Sequence, residues 1–108
     1  MCDDVDEVKL FPNERTWEHV RIGIENALLY TNGPISVELL RMKAGSELPT
    51  RYRRNGEELF VVEGSVVRHD LSRTLLRQWS WVRNPGGEHC ALMSHTESIL
   101  WVKHGHLG

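Results

Sequence analysis

The 108-residue chain is expected to fold as an all-β protein, a single small β-barrel. Three observations carry this expectation. Short apolar runs rich in Val, Ile, Leu and Trp recur along the chain, Gly and Pro close nearly every one, and none is long enough for a helix. Such spacing is that of a β-sandwich or barrel. An apolar content of 40% is enough for a real core, and four Trp are expected to add large buried surfaces to it.

Residues 1–23 read as an N-terminal strand or arm and residues 24–108 as the barrel. Within the arm, Asp3, Asp4, Asp6 and Glu7 form a solvated acidic tail, and Asn13–Val20 is the one stretch that reads as a helical turn. The run ALLYT then ends at Asn32-Gly33-Pro34, and ISVELLRM ends at Ala44-Gly45. Asn55-Gly56 is a two-residue hairpin signal. LFVVE closes at Gly64, WSWV at Asn84-Pro85-Gly86-Gly87, and SILWVKH at Gly105. Trp79 and Trp81 share a strand face with Arg83; such residues are core by default, with a dimer surface or pocket lining as alternatives. Met42 and Met93 read as packing residues. There is no repeat, low-complexity segment or internal linker.

Net charge is −2 with the two signs interspersed, which gives no basic face for nucleic acid. No apolar run approaches the ~18 residues of a membrane span. Met1 is followed by acids rather than by a basic and then apolar leader. Cys2 and Cys90 are the only cysteines, and two thiols without an export signal point to free thiols and a cytoplasmic setting.

The chemistry concentrates in ELPTRYRRNGEELFVVEG, residues 47–64. Gly45 is followed after five residues by Arg51-x-Arg53, after three more by Glu57, and after six more by Gly64. A second segment, SWVRNPGGEH, sets His89 just after a Pro/Gly turn. Together these segments resemble the two motifs of the cupins, and the flanks LLRMKAGSELP, NGEELFVVEGS, WVRNPGGEH and ILWVKHG look most like cupins of the ChrR type. That group includes the zinc-binding domain of an anti-sigma factor and relatives of acetylacetone-cleaving dioxygenases. The resemblance spans roughly residues 24–105. It implies a jelly-roll (double-stranded β-helix) barrel and a homodimer.

In the family a His-x-His pair, a Glu and a third His hold a divalent metal. Glu57 matches the glutamate and His89 the last histidine, whereas Arg51 and Arg53 stand at the first two histidines. Guanidinium has donors only and stays protonated, so it offers a metal no lone pair. No metal or other cofactor is therefore expected. Cupins host many unrelated activities, so the motif alone assigns none.

Residues two apart on a strand point the same way, so Arg51 and Arg53 share a face. Two such cations at ~5 Å and an effective dielectric of ~20 repel by about 3 kcal/mol. Burying them costs several kcal/mol each unless they are paired. Glu57 neutralises one; the other calls for a bound carboxylate, phosphate or enolate. In a simple ladder across Asn55-Gly56, Arg53 would face Glu58 instead, and the family spacing requires a bulge or wider loop to bring Glu57 there. Cations beside His89 disfavour imidazolium and leave it available as a general base.

These residues predict an enzyme acting on a small anionic or carbonyl-containing metabolite by metal-independent acid/base chemistry: an isomerase, lyase or cyclase. Arg51 and Arg53 bind substrate, His89 moves the proton and Glu57 orients or neutralises. The alternatives are a non-catalytic ligand-binding or regulatory cupin, a dioxygenase-like cupin with non-standard metal ligands, or a solvated strand face carrying surface ion pairs. His104-x-His106 reads as a frayed or exposed end, and His19, His69 and His95 as surface residues.

Overall fold

The computed structural model describes residues 16–69 and 73–106, which hold twelve strands and no helix. The strands are β1 (Glu18–Arg21), β2 (Ile24–Asn32), β3 (Ile35–Met42), β4 (Glu47–Leu48), β5 (Arg51–Arg53) and β6 (Glu57–Glu63). They continue with β7 (Val66–Arg68), β8 (Thr74–Leu76), β9 (Trp81–Asn84), β10 (Gly87–His89), β11 (Leu92–Ser94) and β12 (Ser98–His104). A six-stranded sheet runs β1-β2-β3-β12-β6-β9, a four-stranded sheet β4-β11-β7-β8, and β10 pairs with β5 alone. All pairings are antiparallel, as the predicted jelly roll requires.

The core lies between the two larger sheets. Ile24, Leu40, Met42, Leu59, Val61, Leu100 and Val102 come from one; Val66, Leu76 and Leu92 come from the other. Strand alternation selects them, and β6 shows how: Glu57, Leu59 and Val61 are buried while their neighbours are less so. Removing such a side chain costs about 2–5 kcal/mol, as for any buried Leu cut to Ala.

Three local expectations are corrected. The stretch read as a helical turn carries β1 instead, and its residues 13–15 lie outside the described residues. Glu18 and His19 pair with Asn26 and Glu25, so the exposed edge of β2 claims the segment, which has no apolar stripe for a helix to bury. Trp79 is not in a strand: it sits in the turn before β9 with φ 76°. Finally, none of the four Trp is in the buried core. Val82 is the β9 residue that packs inward, so Trp81 and Arg83 face out together, and Trp79 and Trp81 are 63% and 59% exposed.

The outer face of the large sheet is correspondingly apolar. The register places Ala27, Leu39, Trp101, Phe60 and Trp81 in one cross-strand row. Trp17 packs against the Ala27–Leu39–Ile99 cluster and stacks under the Arg41 guanidinium at 4.2 Å. No helix among the described residues is long and apolar enough to cross a membrane. The acidic tail and Cys2 lie outside the described residues.

Candidate functional site

Glu57 owes its position to β6. It is the first inward residue of the strand, in line with Leu59 and Val61, and it is 1% exposed. Glu58, next in sequence, faces out, where it accepts from Trp81 Nε1 at 2.6 Å and lies 2.8 Å from His106 Nε2. The choice between Glu57 and Glu58 is thereby decided by strand parity.

The expected Asn55-Gly56 hairpin does not form. β5 pairs with β10 and β6 with β12 and β9, so the turn between them carries the chain from one sheet to another. Its hydrogen bond runs from the Gly56 N–H to the Arg53 carbonyl at 3.2 Å, which puts Arg54 and Asn55 at the centre. Freed from a ladder across the turn, Arg51 and Arg53 both lean onto Glu57.

β10 supplies the fourth residue. Gly87, Glu88 and His89 lie opposite Arg53, Tyr52 and Arg51, so His89 faces Arg51 directly. Gly86 makes this approach possible, because a Cβ there would overlap the Arg54 carbonyl oxygen. Tyr52, between the two arginines, points away and is 72% exposed.

The contacts are unequal. Arg51 donates to Glu57 from Nε at 2.9 Å and from Nη2 at 2.5 Å, and from Nη1 to the Cys90 carbonyl at 2.8 Å. This fork-to-fork pairing occupies both carboxylate oxygens. Arg53 reaches Oε2 only at 3.4 Å, and among the described residues its terminal nitrogens have no partner. Two guanidiniums share the Glu57 carboxylate, and Arg53 holds the weaker of the two contacts.

Burial pushes the Glu57 carboxyl up, but the Arg51 hydrogen bond and the charges of Arg51, Arg53 and His89 outweigh it and hold the group below 4.5. Burial lowers His89; the Glu57 charge opposes this, the arginines reinforce it, and the imidazole stays below 6.5. His89 is therefore neutral near pH 7. Its Nε2 is buried and has no hydrogen-bond partner among the described residues.

Two openings of similar size reach this cluster from different sides. One, of about 400 Å³, is lined by Arg68 and residues 84–90, including His89. The other, of about 380 Å³, is lined by Arg53, His104, Tyr52, Pro34 and the Arg54–Asn55 turn. A larger cleft, about 770 Å³, lies beyond the Pro85–Gly87 turn among Tyr52, Arg54, Arg83 and His106, and no predicted site residue lines it.

The family's metal does not fit this donor set. Two of the four ligand positions hold guanidinium, and Arg51 already occupies both oxygens of the one carboxylate. Among the described residues no three His, Cys, Asp or Glu side chains are grouped to hold an ion.

Sequence reasoning missed His104. It is not a frayed end: it lies in full register between Ser36 of β3 and Glu57 of β6. It shares the inward face with Leu100 and Val102, a face the sequence does not single out because Ile99 and Trp101 are equally apolar. His19 and His95 are exposed, and His69 is partly so. Cys90 is a free thiol that contributes its carbonyl to Arg51.

No curated protein matches the chain at a significant level. Among solved structures, an RmlC-like cupin from Shewanella frigidimarina superposes with TM-score 0.78 at 19% identity, over 87% of this chain and 86% of that one. KdgF from Halomonas sp. gives 0.74 at 11%, over 86% and 90%. An acetylacetone dioxygenase from Acinetobacter johnsonii gives 0.75 at 16%, over 96% and 74%. These likenesses are of fold. The model of the ChrR cupin-like domain matches residues 5–108. With that match over nearly the whole chain, and both motif segments in their places on the barrel, the chain belongs to the ChrR cupin-like family.

Proposed function

We propose that the protein is a cytoplasmic enzyme that binds a small anionic or carbonyl-containing metabolite at the barrel mouth. It moves a proton on that metabolite without a metal, as an isomerase, lyase or cyclase does. The observation that carries this reading is the weakly paired Arg53, whose terminal donors have no partner among the described residues, beside a fully engaged Arg51–Glu57 pair. Arg51 acts as scaffold and Arg53 as the anion clamp. Neutral His89 accepts the proton, and Glu57 supports the imidazolium that results.

Calorimetric titration with 2-oxobutanoate, succinate and inorganic phosphate tests the clamp. Arg53→Ala should weaken the best of these by about 10- to 100-fold, the loss of one charge-assisted contact. His89→Gln should leave that affinity within about threefold. Equal affinity of wild type and Arg53→Ala would remove the site. Ligand binding by a protein with no turnover on any carbonyl acid would favour the binding-module alternative.

We further propose a homodimer, formed through the apolar outer row of Trp101, Phe60 and Trp81, where Val62 completes a shallow groove. Trp81→Glu should convert a dimer into a folded monomer in analytical ultracentrifugation. A wild type that sediments as a monomer at tens of micromolar sinks this proposal.

A further inference from the structure

We propose that His104 is a second proton-transfer group of this pocket, positioned by Glu38 and Asn26, and that the substrate bound at Arg53 is an enolisable 2-oxo acid. The inference rests on the anion-binding reading above and changes one part of it: for a ligand held at Arg53, His104 takes the proton that the reading gave to His89.

The geometry distinguishes the two imidazoles. His89 and Arg53 line different openings, whereas His104 and Arg53 line the same one. A ligand whose carboxylate meets the free end of Arg53 in that opening has His104 as its nearest imidazole. The other lining groups are Tyr52, Arg54, Pro34, Asn55 and Gly105, with no other imidazole or carboxylate among them.

His104 is held where this chemistry needs it. Gly105, at φ +91°, passes so close to the β2–β3 turn that a Cβ would overlap the Pro34 carbonyl oxygen. Its N–H donates to the Gly56 carbonyl at 3.2 Å. The end of β12 is thus clamped between two turns, one of them the turn that carries Arg53 into Glu57.

Behind the ring stands a carboxylate. Glu38 of β3 faces the barrel interior, opposite Val102 in the register, and its side chain is 13% exposed. Asn26 Nδ2 donates to its Oε1 at 2.8 Å, which fixes the group. Its Oε2 lies 4.0 Å from His104 Nε2, a separation at which it acts by charge rather than by a hydrogen bond. The charged and titratable groups around His104 are Arg53 of β5, Glu38 of β3, Glu57 of β6 and His106 beyond β12. Burial and Arg53 keep the imidazole neutral at rest, while Glu38 and Glu57 stabilise the imidazolium once it forms. A base that is neutral before the step and supported after it has the pairing that general base catalysis requires.

In the step, Nδ1, the ring nitrogen away from Glu38, takes the proton from the carbon next to the carbonyl. The C–H electron pair forms the carbon–carbon double bond, and the carbonyl π pair moves to oxygen as an enolate facing Arg53. Return of the proton to carbon restores the carbonyl, with no change in oxidation state and no co-reactant.

The experiment follows hydrogen–deuterium exchange at C3 of 2-oxobutanoate in D2O by proton NMR, with the full chain. Wild type should exchange the position faster than buffer. His104→Gln should lower the rate by about 10²- to 10⁴-fold, the usual loss with a general base, while calorimetric affinity for 2-oxobutanoate stays within about threefold. Added imidazole should restore part of the rate to His104→Ala. Glu38→Gln should lower the rate less and move the acid limb of its pH profile to lower pH, because the imidazolium loses a carboxylate; a packing role would leave that profile in place. Exchange lost in His89→Gln and intact in His104→Gln overturns the inference and leaves the anion-binding reading standing. Binding of 2-oxobutanoate that survives Arg53→Ala overturns that reading. Binding without exchange in wild type overturns the proton-transfer assignment of His104.

Discussion

Replacing Glu57 with Ala is expected to destabilise the protein by about 3–5 kcal/mol, the cost of leaving a buried charge without its partner. Arg51 is 12% exposed and gives both forks of its guanidinium to this carboxylate. Without it, Arg51 keeps only the Cys90 carbonyl and stands beside Arg53 with nothing between them. A domain this size is commonly stable by 5–15 kcal/mol, so the variant should melt far lower or fail to accumulate. Glu58→Ala is the comparison: it lies on the outer face, where water can replace its contacts to Trp81 and His106, and its loss should cost clearly less than that of Glu57. Glu57→Gln separates charge from shape. The Glu57 carboxyl is held below 4.5, so its contribution is complete above about pH 4.5 and disappears as pH falls through the lower native value. The glutamine variant lacks that acid-limb loss, and its stability should change less with pH there. Urea melts from pH 7 to pH 3 read both effects. A Glu57→Ala protein within about 1 kcal/mol of wild type would mean that Arg51 is not paired inside the barrel.

The contrast between Glu57 and Glu58 also shows what can be read before folding. The family spacing favoured Glu57, whereas parity could not, because Phe60 and Val62 are as apolar as Leu59 and Val61 and only the folded strand shows which set faces in. The opposing signal, a hairpin at Asn55-Gly56, was local and failed for a non-local reason: its flanking strands pair with other partners. Arg51 and Arg53 are equivalent by alternation, yet Arg51 is fully engaged and Arg53 only weakly paired among the described residues, because only Arg51 lies opposite His89 and within reach of the Cys90 carbonyl. Nothing in the spacing encodes that difference. His104 was lost to its nearness to the C-terminus; the contacts that hold the end of its strand are made by Gly105 to Gly56 and Pro34, about 50 and 70 positions away. The exposed Trp81 was misread because hydrophobicity reports a preference for burial and not which face of an edge strand is covered, and Trp79 because it lies in the turn before that strand.

The double substitution Arg51→His/Arg53→His is expected to create a divalent metal site where the native chain has a charge cluster. It completes the family's ligand pattern of two imidazoles, the Glu57 carboxylate and His89. Geometry favours it on three counts. Position 51 lies opposite His89 across an antiparallel pair, position 53 shares its face, and Glu57 already contacts both side chains. The change also removes the guanidinium fork that now covers both carboxylate oxygens, and the orphaned Nε2 of His89 gains a partner. Zinc suits such a nitrogen and oxygen set at about 2.0–2.2 Å. Binding at a Kd of about 1 µM or below corresponds to some −8 kcal/mol, and zinc should raise the melting temperature of the double variant while leaving wild type unmoved. His89→Ala added to the pair should abolish most of that shift. If the double variant folds and zinc leaves its melting temperature unchanged, the two arginines do not stand at the ligand positions. Equal stabilisation of wild type by zinc would show that the native donor set holds a metal despite its guanidiniums. In the expected case, two substitutions separate the native charge cluster from the metal site that the rest of the family pattern describes.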